Sequence, residues 1–260
     1  MAIEVFNRKE NKYMIDDNTY RQLVERLEEY MYSDEHSKDG GFYSISNVYY
    51  DTDTDELIRR SLAKPVYKEK LRLRSYGMPK DDDKVFIEIK KKYKGVVGKR
   101  RISLPYTAAI KYLEEGIRPD EGTVNSQILR EIDYFRTVHK VVPKVWISYD
   151  RRAYFGKEDP GFRVTFDTNM RARRTDVDLQ ASDEGEQLVS AGKWLMEVKI
   201  TNSMPQWFAN LLTEFKIFPA SFSKYGTEYK KYVVASIKKG EKVICLTQYS
   251  AQQAILQPAH

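Results

Sequence analysis

Four cations stand at alternate positions in Lys68-Glu69-Lys70-Leu71-Arg72-Leu73-Arg74, so an extended strand puts Lys68, Lys70, Arg72 and Arg74 on one face. Leu71 and Leu73 fall on the other. Such a strand is either an ordinary half-exposed strand with a solvated basic face or the wall of a site for a polyanion. The pattern recurs. Around Lys84 to Lys92, Val85, Ile87 and Ile89 alternate with Phe86, Glu88, Lys90 and Lys92, and in Lys99 to Leu104, Lys99, Arg101 and Ser103 share a face. Arg163, Thr165 and Asp167 alternate with Phe162, Val164 and Phe166, and Glu197 and Lys199 oppose Met196, Val198 and Ile200.

Several strands with one charged and one apolar face predict an α+β fold: a closed antiparallel barrel of about eight strands, charges inward, helices packed on its outside. One domain over residues 1–240 is expected, with 241–260 as an unassigned tail. At the N-terminus, 4–15 reads as a strand with Arg8, Glu10 and Lys12 on one face, and Asp16 to Thr19 offer capping side chains for the helix that follows. Leu23, Val24, Leu27 and Met31 recur there at helical spacing, a packing stripe. Further helices are read over 56–62, 107–116, 125–140, 204–215 and from Phe222 to near Lys239. The polar, acidic stretch 171–192 reads as a mobile excursion.

A chain of 260 residues can bury a core without staples. Its 41% hydrophobic and 32% charged content is that of a globular protein. A formal net charge of +6 suits nucleic acid, anionic lipid or phosphorylated small molecules about equally. Cysteine chemistry is narrow: Cys245 stands alone, so neither an intrachain disulfide nor a cysteine zinc cluster can form, and a reducing, cytoplasmic setting is the default expectation. No apolar run approaches the roughly 20 residues that span a bilayer, so no direct membrane insertion is expected. The aspartates of 51–55 lack the glycine and the bidentate glutamate of a calcium loop and read as a turn with a helix cap. His36, His139 and His260 have neither metal nor triad spacing, and no phosphate-cradling glycine loop is present. Phosphate chemistry in this chain has to rest on strand-borne lysine and arginine.

Taken in order, Arg8-Lys9-Glu10-Asn11-Lys12, Tyr50-Asp51-Thr52, Leu71-Arg72-Leu73-Arg74, Phe86 to Lys90, Lys99-Arg100-Arg101, Tyr149-Asp150-Arg151, Arg163 to Thr168, Met196-Glu197-Val198-Lys199 and Phe222-Ser223-Lys224 resemble the VTC domain. This is the catalytic domain of polyphosphate polymerases within the class of triphosphate tunnel metalloenzymes, and the resemblance covers about 4–235. It implies a tunnel in which Lys12, Arg72, Arg74, Lys90, Lys99, Arg151, Arg163 and Lys224 hold phosphates, with Arg101 beside them. Lys224, Arg72, Arg74 and Lys90 are the catalytic residues it implies. Glu197 matches the metal-ligating carboxylate, with Glu10 second, for Mn2+ or Mg2+. The hydrolase branch opens with two glutamates and a lysine at alternate positions; here the first is Arg8, which favours the polymerase branch. Of two basic residues that polymerases carry three apart near the end, only Lys224 remains, Ser221 standing at the other position.

The function implied is transfer of the γ-phosphate of ATP to a growing inorganic polyphosphate chain. The acidic residues Glu10, Glu88, Glu197 and Asp167 would also serve as counter-ions for the crowded cations. Rival readings are a metal-dependent triphosphatase on the same tunnel and a binding module without turnover. Nucleic acid is not expected as a partner, because cations on inward strand faces do not form an exposed patch. A membrane-protein partner is left open.

Overall fold

The computed structural model describes residues 9–35, 41–94, 96–120, 122–201 and 203–240. Arg8, His36, Cys245, His260 and the 241–260 tail lie outside the described residues. Ten strands are described: β1 (Lys9–Asp16), β2 (Met31–Ser33), β3 (Tyr43–Asp51), β4 (Tyr67–Tyr76), β5 (Lys84–Tyr93), β6 (Val96–Pro105), β7 (Val142–Gly156), β8 (Arg163–Arg173), β9 (Glu186–Gln187) and β10 (Lys193–Ile200). Eight of them pair antiparallel in the order β1-β10-β8-β7-β3-β4-β5-β6, with β2 added on β7 and β9 on β8.

The helices are α1 (Asp17–Tyr30), α2 (Glu56–Leu62), α3 (Tyr106–Ile110), which runs on into a π-helical turn at Lys111–Glu115, α4 (Ser126–His139), α5 (Gln206–Glu214) and α6 (Lys224–Lys238). Capping follows the side chains available. The Asp16 carboxylate accepts from the Thr19 N–H, and Asn125 accepts from the N–H groups of Gln127 and Ile128. Asp51 caps α2 from the end of β3, accepting from Leu57 and Ile58 N–H.

Two apolar clusters cover the outer face. Leu71, Leu73, Val85, Ile87, Ile89, Ile102 and Leu104 pack under α3 and α4, and Tyr13, Val164, Phe166, Met196 and Val198 pack under α1 and α5. At about 1.5–3 kcal/mol for each fully buried large aliphatic or aromatic side chain, these layers fix which face of every strand points inward. A third cluster lies on the inner face, where Tyr225, Tyr229 and Val233 of α6 and Ile58 of α2 meet Ile45, Val145, Ile147, Met170 and Leu195. Not all helices are therefore outside, as the sequence predicts: α6 and α2 plug one end of the concave face because their stripes are apolar enough to fill it.

The predicted closed barrel is also corrected. Among the described residues β1 and β6, the two ends of the path, are not hydrogen-bonded to each other. The free edge of β1 is taken instead by the segment before α6, where Pro219 bridges Tyr13 and the Ala220 N–H donates to the Lys12 carbonyl at 2.7 Å. The stretch 171–192 is not a free excursion either. Arg171 bonds Asp183, Arg173 donates to the carbonyls of Asp176, Asp178, Ser182 and Glu184, and Leu179 and Leu188 are buried.

Candidate functional site

Alternation carries the charged residues of seven strands to the concave face. On one side, Glu88 of β5 is surrounded by cations from its two neighbours. Arg72 of β4 donates to it at 2.6 and 2.8 Å, the Lys99 Nζ of β6 lies 2.5 Å from Oε1, and Arg74 Nε is 3.7 Å away. Only 1% of the Glu88 side chain is exposed. Burial alone would raise its carboxyl, but Arg72, Arg74 and Lys99 outweigh burial and hold it well below the usual carboxylate range. The remaining donors find neutral partners: Arg72 donates to the Tyr49 hydroxyl at 3.0 Å, and Arg74 to Asn47 Oδ1 at 2.9 Å and the Tyr149 hydroxyl at 3.1 Å.

On the other side, two carboxylates share three cations. Arg151 of β7 makes a fork to Asp167 of β8 at 2.6 and 2.8 Å and reaches Glu197 of β10 at 3.3 Å. Lys12 of β1 bonds Glu197 at 2.9 Å and lies 3.5 Å from Glu10, and Lys224, the first residue of α6, bonds Asp167 at 2.5 Å. Burial pushes Glu197 and Asp167 up, yet the cations prevail and hold both carboxyls down. For Lys12, burial is outweighed by Glu197 and Glu10, and its ammonium is held above its ordinary value.

Tyr149 joins the two groups, since its hydroxyl accepts from Arg74 while its ring lies 4.1 Å from Lys224 Nζ and 5.2 Å from the Arg151 guanidinium. Around this centre positive charge is in excess. Burial, only partly offset by Glu88 and reinforced by Arg72 and Arg74, brings Lys99 down to about 7. Lys199, half-buried and beside Arg151, falls to about 8. Lys70 falls to about 8 through burial and its lysine neighbours. Tyr49, which burial would raise, is drawn down to about 8 by Arg72, Lys70 and Arg74. Crowded cations whose ammonium groups are lowered toward neutrality form a site that an anionic ligand would stabilise.

The predicted residues thus divide. Lys12, Arg72, Arg74, Lys99, Arg151, Glu197 and Lys224 converge with Glu10 at the edge of the second group. Lys90 is on the same face but exposed, in register between Lys70 and Lys99. Arg101 is exposed as well and lies over the Phe86 ring at 4.6 Å, and Arg163 sits at the far rim, 3.4 Å from Asp34. Alternation in the sequence puts Lys70 and Lys199 on the charged faces, but neither is among the phosphate-binding residues that the sequence names. No signal in the sequence marks Asn47 and Tyr49, neutral residues on a strand without a charge pattern, and Tyr149 enters only as a neighbour of Arg151.

Among the described residues, no group of three or more His, Cys, Asp or Glu side chains could hold a metal. A hard dication that keeps its waters needs only one or two carboxylates plus substrate oxygens, and Glu197 with Glu10, both on Lys12, fits that smaller donor set.

The chain is 23% identical over 222 residues to vacuolar transporter chaperone complex subunit 4 of Schizosaccharomyces pombe, covering 70% of this chain and 31% of that protein. It therefore spans about a third of that relative's length. Among solved structures, a Hippeastrum protein named as an adenylyl cyclase, with a dominant triphosphatase activity, aligns with 90% of this chain and 97% of its own at 15% identity and a TM-score of 0.46. A protein of Pyrococcus horikoshii OT3 aligns with 86% of this chain and 99% of its own at 11% identity and a TM-score of 0.43. The VTC domain model matches residues 7–233, nearly the whole described chain, and the protein belongs to the VTC domain family.

Proposed function

We propose that this domain is a polyphosphate polymerase, transferring the γ-phosphate of ATP to the end of an inorganic polyphosphate chain. The observation that carries the reading is the excess of positive charge on the concave face, where Lys70 and Lys199 add to two groups already holding three cations each. Phosphoryl transfer asks a protein for in-line positioning and charge compensation more than for covalent chemistry. A terminal phosphate oxygen of the chain attacks the γ-phosphorus, the bond from that phosphorus to the β–γ bridging oxygen breaks, and ADP leaves. The attacking oxygen is already anionic, so no general base is required.

In this scheme Arg72, Arg74 and Lys99 clamp one part of the phosphate chain, and Lys12, Arg151 and Lys224 the other. Lys90, Arg101 and Arg163 extend the cationic surface to its rims. Glu197, with Glu10, would hold Mn2+ or Mg2+, which supplies neutralisation of the phosphate oxygens in flight. The name of the fission-yeast relative as a complex subunit supports a further protein partner, and a cytoplasmic setting supplies ATP. Among the described residues no helix is long and apolar enough to cross a membrane.

The decisive experiment incubates the protein with ATP and manganese, with and without a short polyphosphate primer, and separates chains from orthophosphate. Chains that lengthen with time, with a lag that primer shortens, are expected. ADP with orthophosphate alone would replace this reading by a triphosphatase, a reaction that two carboxylates beside Lys12 also support. Binding without any turnover would leave a polyphosphate-binding module.

A further inference from the structure

Every cation in the two groups described above has a carboxylate within 4 Å; Lys70 is different. Its side chain is on the inner face of β4, two residues before Arg72, and in register with Lys90 of β5, which pairs in turn with Lys99 of β6. No carboxylate lies within ion-pair distance of its Nζ among the described residues. Its polar contact is a long one, 3.5 Å to Ser223 Oγ, on the segment that follows the free edge of β1. That hydroxyl is already committed, accepting from the Gly226 N–H to cap α6. Beyond it the ammonium stands 5.7 Å over the Tyr225 ring, which stacks on Tyr49 at 4.9 Å.

The groups that face Lys70 are nearly all cationic or neutral. They are Lys68 on its own strand with Arg72 two residues on, Lys90 from β5, Lys12 from β1, Tyr49 from β3 and Tyr225 from α6. An ammonium with three donors, half-buried, holding one long contact and ringed by like charge is costly to keep unless something anionic joins it. Lys70 also reaches from β4 across the concave face to Ser223, on the segment that follows Pro219 and Ala220.

We propose that Lys70, with the Tyr49 and Ser223 hydroxyls, forms a separate subsite for one phosphate group of a polyphosphate chain. It stands two residues from Arg72 of the Glu88 group and reaches Ser223, the residue before Lys224 of the Glu197–Asp167 group, so a chain crossing the face meets there a half-buried cation with no carboxylate at ion-pair distance among the described residues. This rests on the reading of the concave face as a binder of phosphate chains, whichever reaction follows.

The test measures tripolyphosphate binding by calorimetry without metal, on the whole chain and on the variants Lys70→Met and Lys70→Arg, at pH 7 and pH 9. Because the bond lost is charge-assisted, Lys70→Met is expected to weaken binding about tenfold or more at pH 7. Its melting temperature without ligand should be unchanged or higher, since an unpaired cation has been removed. Lys70→Arg should restore binding at pH 7 and exceed the native protein at pH 9, where Lys70 has lost much of its charge and arginine has not; comparing proteins at one pH cancels the ligand's own ionisation. If Lys70 only docks α6, Lys70→Met melts lower without ligand and binds tripolyphosphate as the native protein does, and the proposal falls. It also falls if Lys70→Arg shows no relative gain at pH 9, or if the native protein does not bind tripolyphosphate. Should native protein bind but make no chains, the polymerase reading fails while the subsite stands. Chains from native protein with native-like binding by Lys70→Met would sink the subsite alone.

Discussion

The two sides of the concave face solve the same problem with different amounts of negative charge. Around Glu88, one carboxylate faces three cations, all from adjacent strands β4, β5 and β6. Around Glu197 and Asp167, two carboxylates face three cations from β1, β7 and α6, elements far apart in the chain. The first side keeps a surplus that an anionic ligand can neutralise. The second is closer to balance and holds the carboxylates suited to a dication. Binding strength should therefore depend on the first side and metal-dependent turnover on the second.

The largest effect should come from taking away Glu88, the one carboxylate at ion-pair distance from the first side's cations among the described residues. Glu88→Gln leaves buried Arg74 and half-buried Arg72 crowded with Lys99 and without their counter-charge, and should cost about 3 kcal/mol of stability, the low end of the range for breaking a buried pair because Lys99 is partly exposed. Thermal melting reads this, and millimolar tripolyphosphate should recover much of the loss, because it binds the folded state and supplies the missing charge. Without recovery by the anion, the surplus would not be a binding device.

Glu197→Gln tests the second side. Asp167 still faces Arg151 and Lys224 in this variant, so melting should fall less than for Glu88→Gln. Turnover with manganese should drop on the order of a hundredfold, because an amide is a poor ligand for a hard cation. Native-like turnover with an unchanged metal optimum would remove Glu197 from the metal's donors.

A smaller, opposite-signed effect is expected from pH. Lys99 falls from an ordinary 10.5 to about 7 in the folded protein, and Lys70 and Lys199 to about 8. Between those values and 10.5 the unfolded chain binds more protons than the folded one, so stability rises with pH across that window. Tyr49, lowered to about 8, acts in the same direction. The ligand-free protein should melt higher at pH 9 than at pH 7, and saturating tripolyphosphate should flatten that rise by keeping the lysines charged. A fall instead would mean that the lysines are paired in solution. At pH 7 and above Glu88 contributes its full stabilisation, which is lost only as pH falls below 4.5 toward its depressed value.

The smallest effect should be at the rim. Arg101 is exposed and stands over Phe86, so Arg101→Ala should change tripolyphosphate affinity by about threefold or less, as solvent screens an exposed charge. A loss of about tenfold or more, the size expected for Lys70→Met, would show that the chain runs along β6 and not across the face.

Much of this site could be read from alternation alone. A period of two, with Leu71, Leu73, Val85, Ile87 and Ile89 on one side, fixes the direction of Arg72, Arg74 and Glu88 whatever the rest of the chain does, because a strand in the other register would bury the cations under α3 and α4. The same reasoning placed Lys12, Glu197 and Asp167 on their faces. It could not say which cation meets which carboxylate. Lys224 reaches Asp167 only because Tyr225 donates to Asp51 and Glu228 holds Arg174, seating α6 inside the concave face. Met170 and Ala172 join that inner face only because Asn169, at φ +48°, supplies the extra residue of a bulge and reverses the alternation after Asp167. Local periodicity is set by neighbours in the chain and is visible in one sequence. Closure, the seat of α6 and the sharing of charge between distant strands depend on long-range packing, which only the tertiary structure decided.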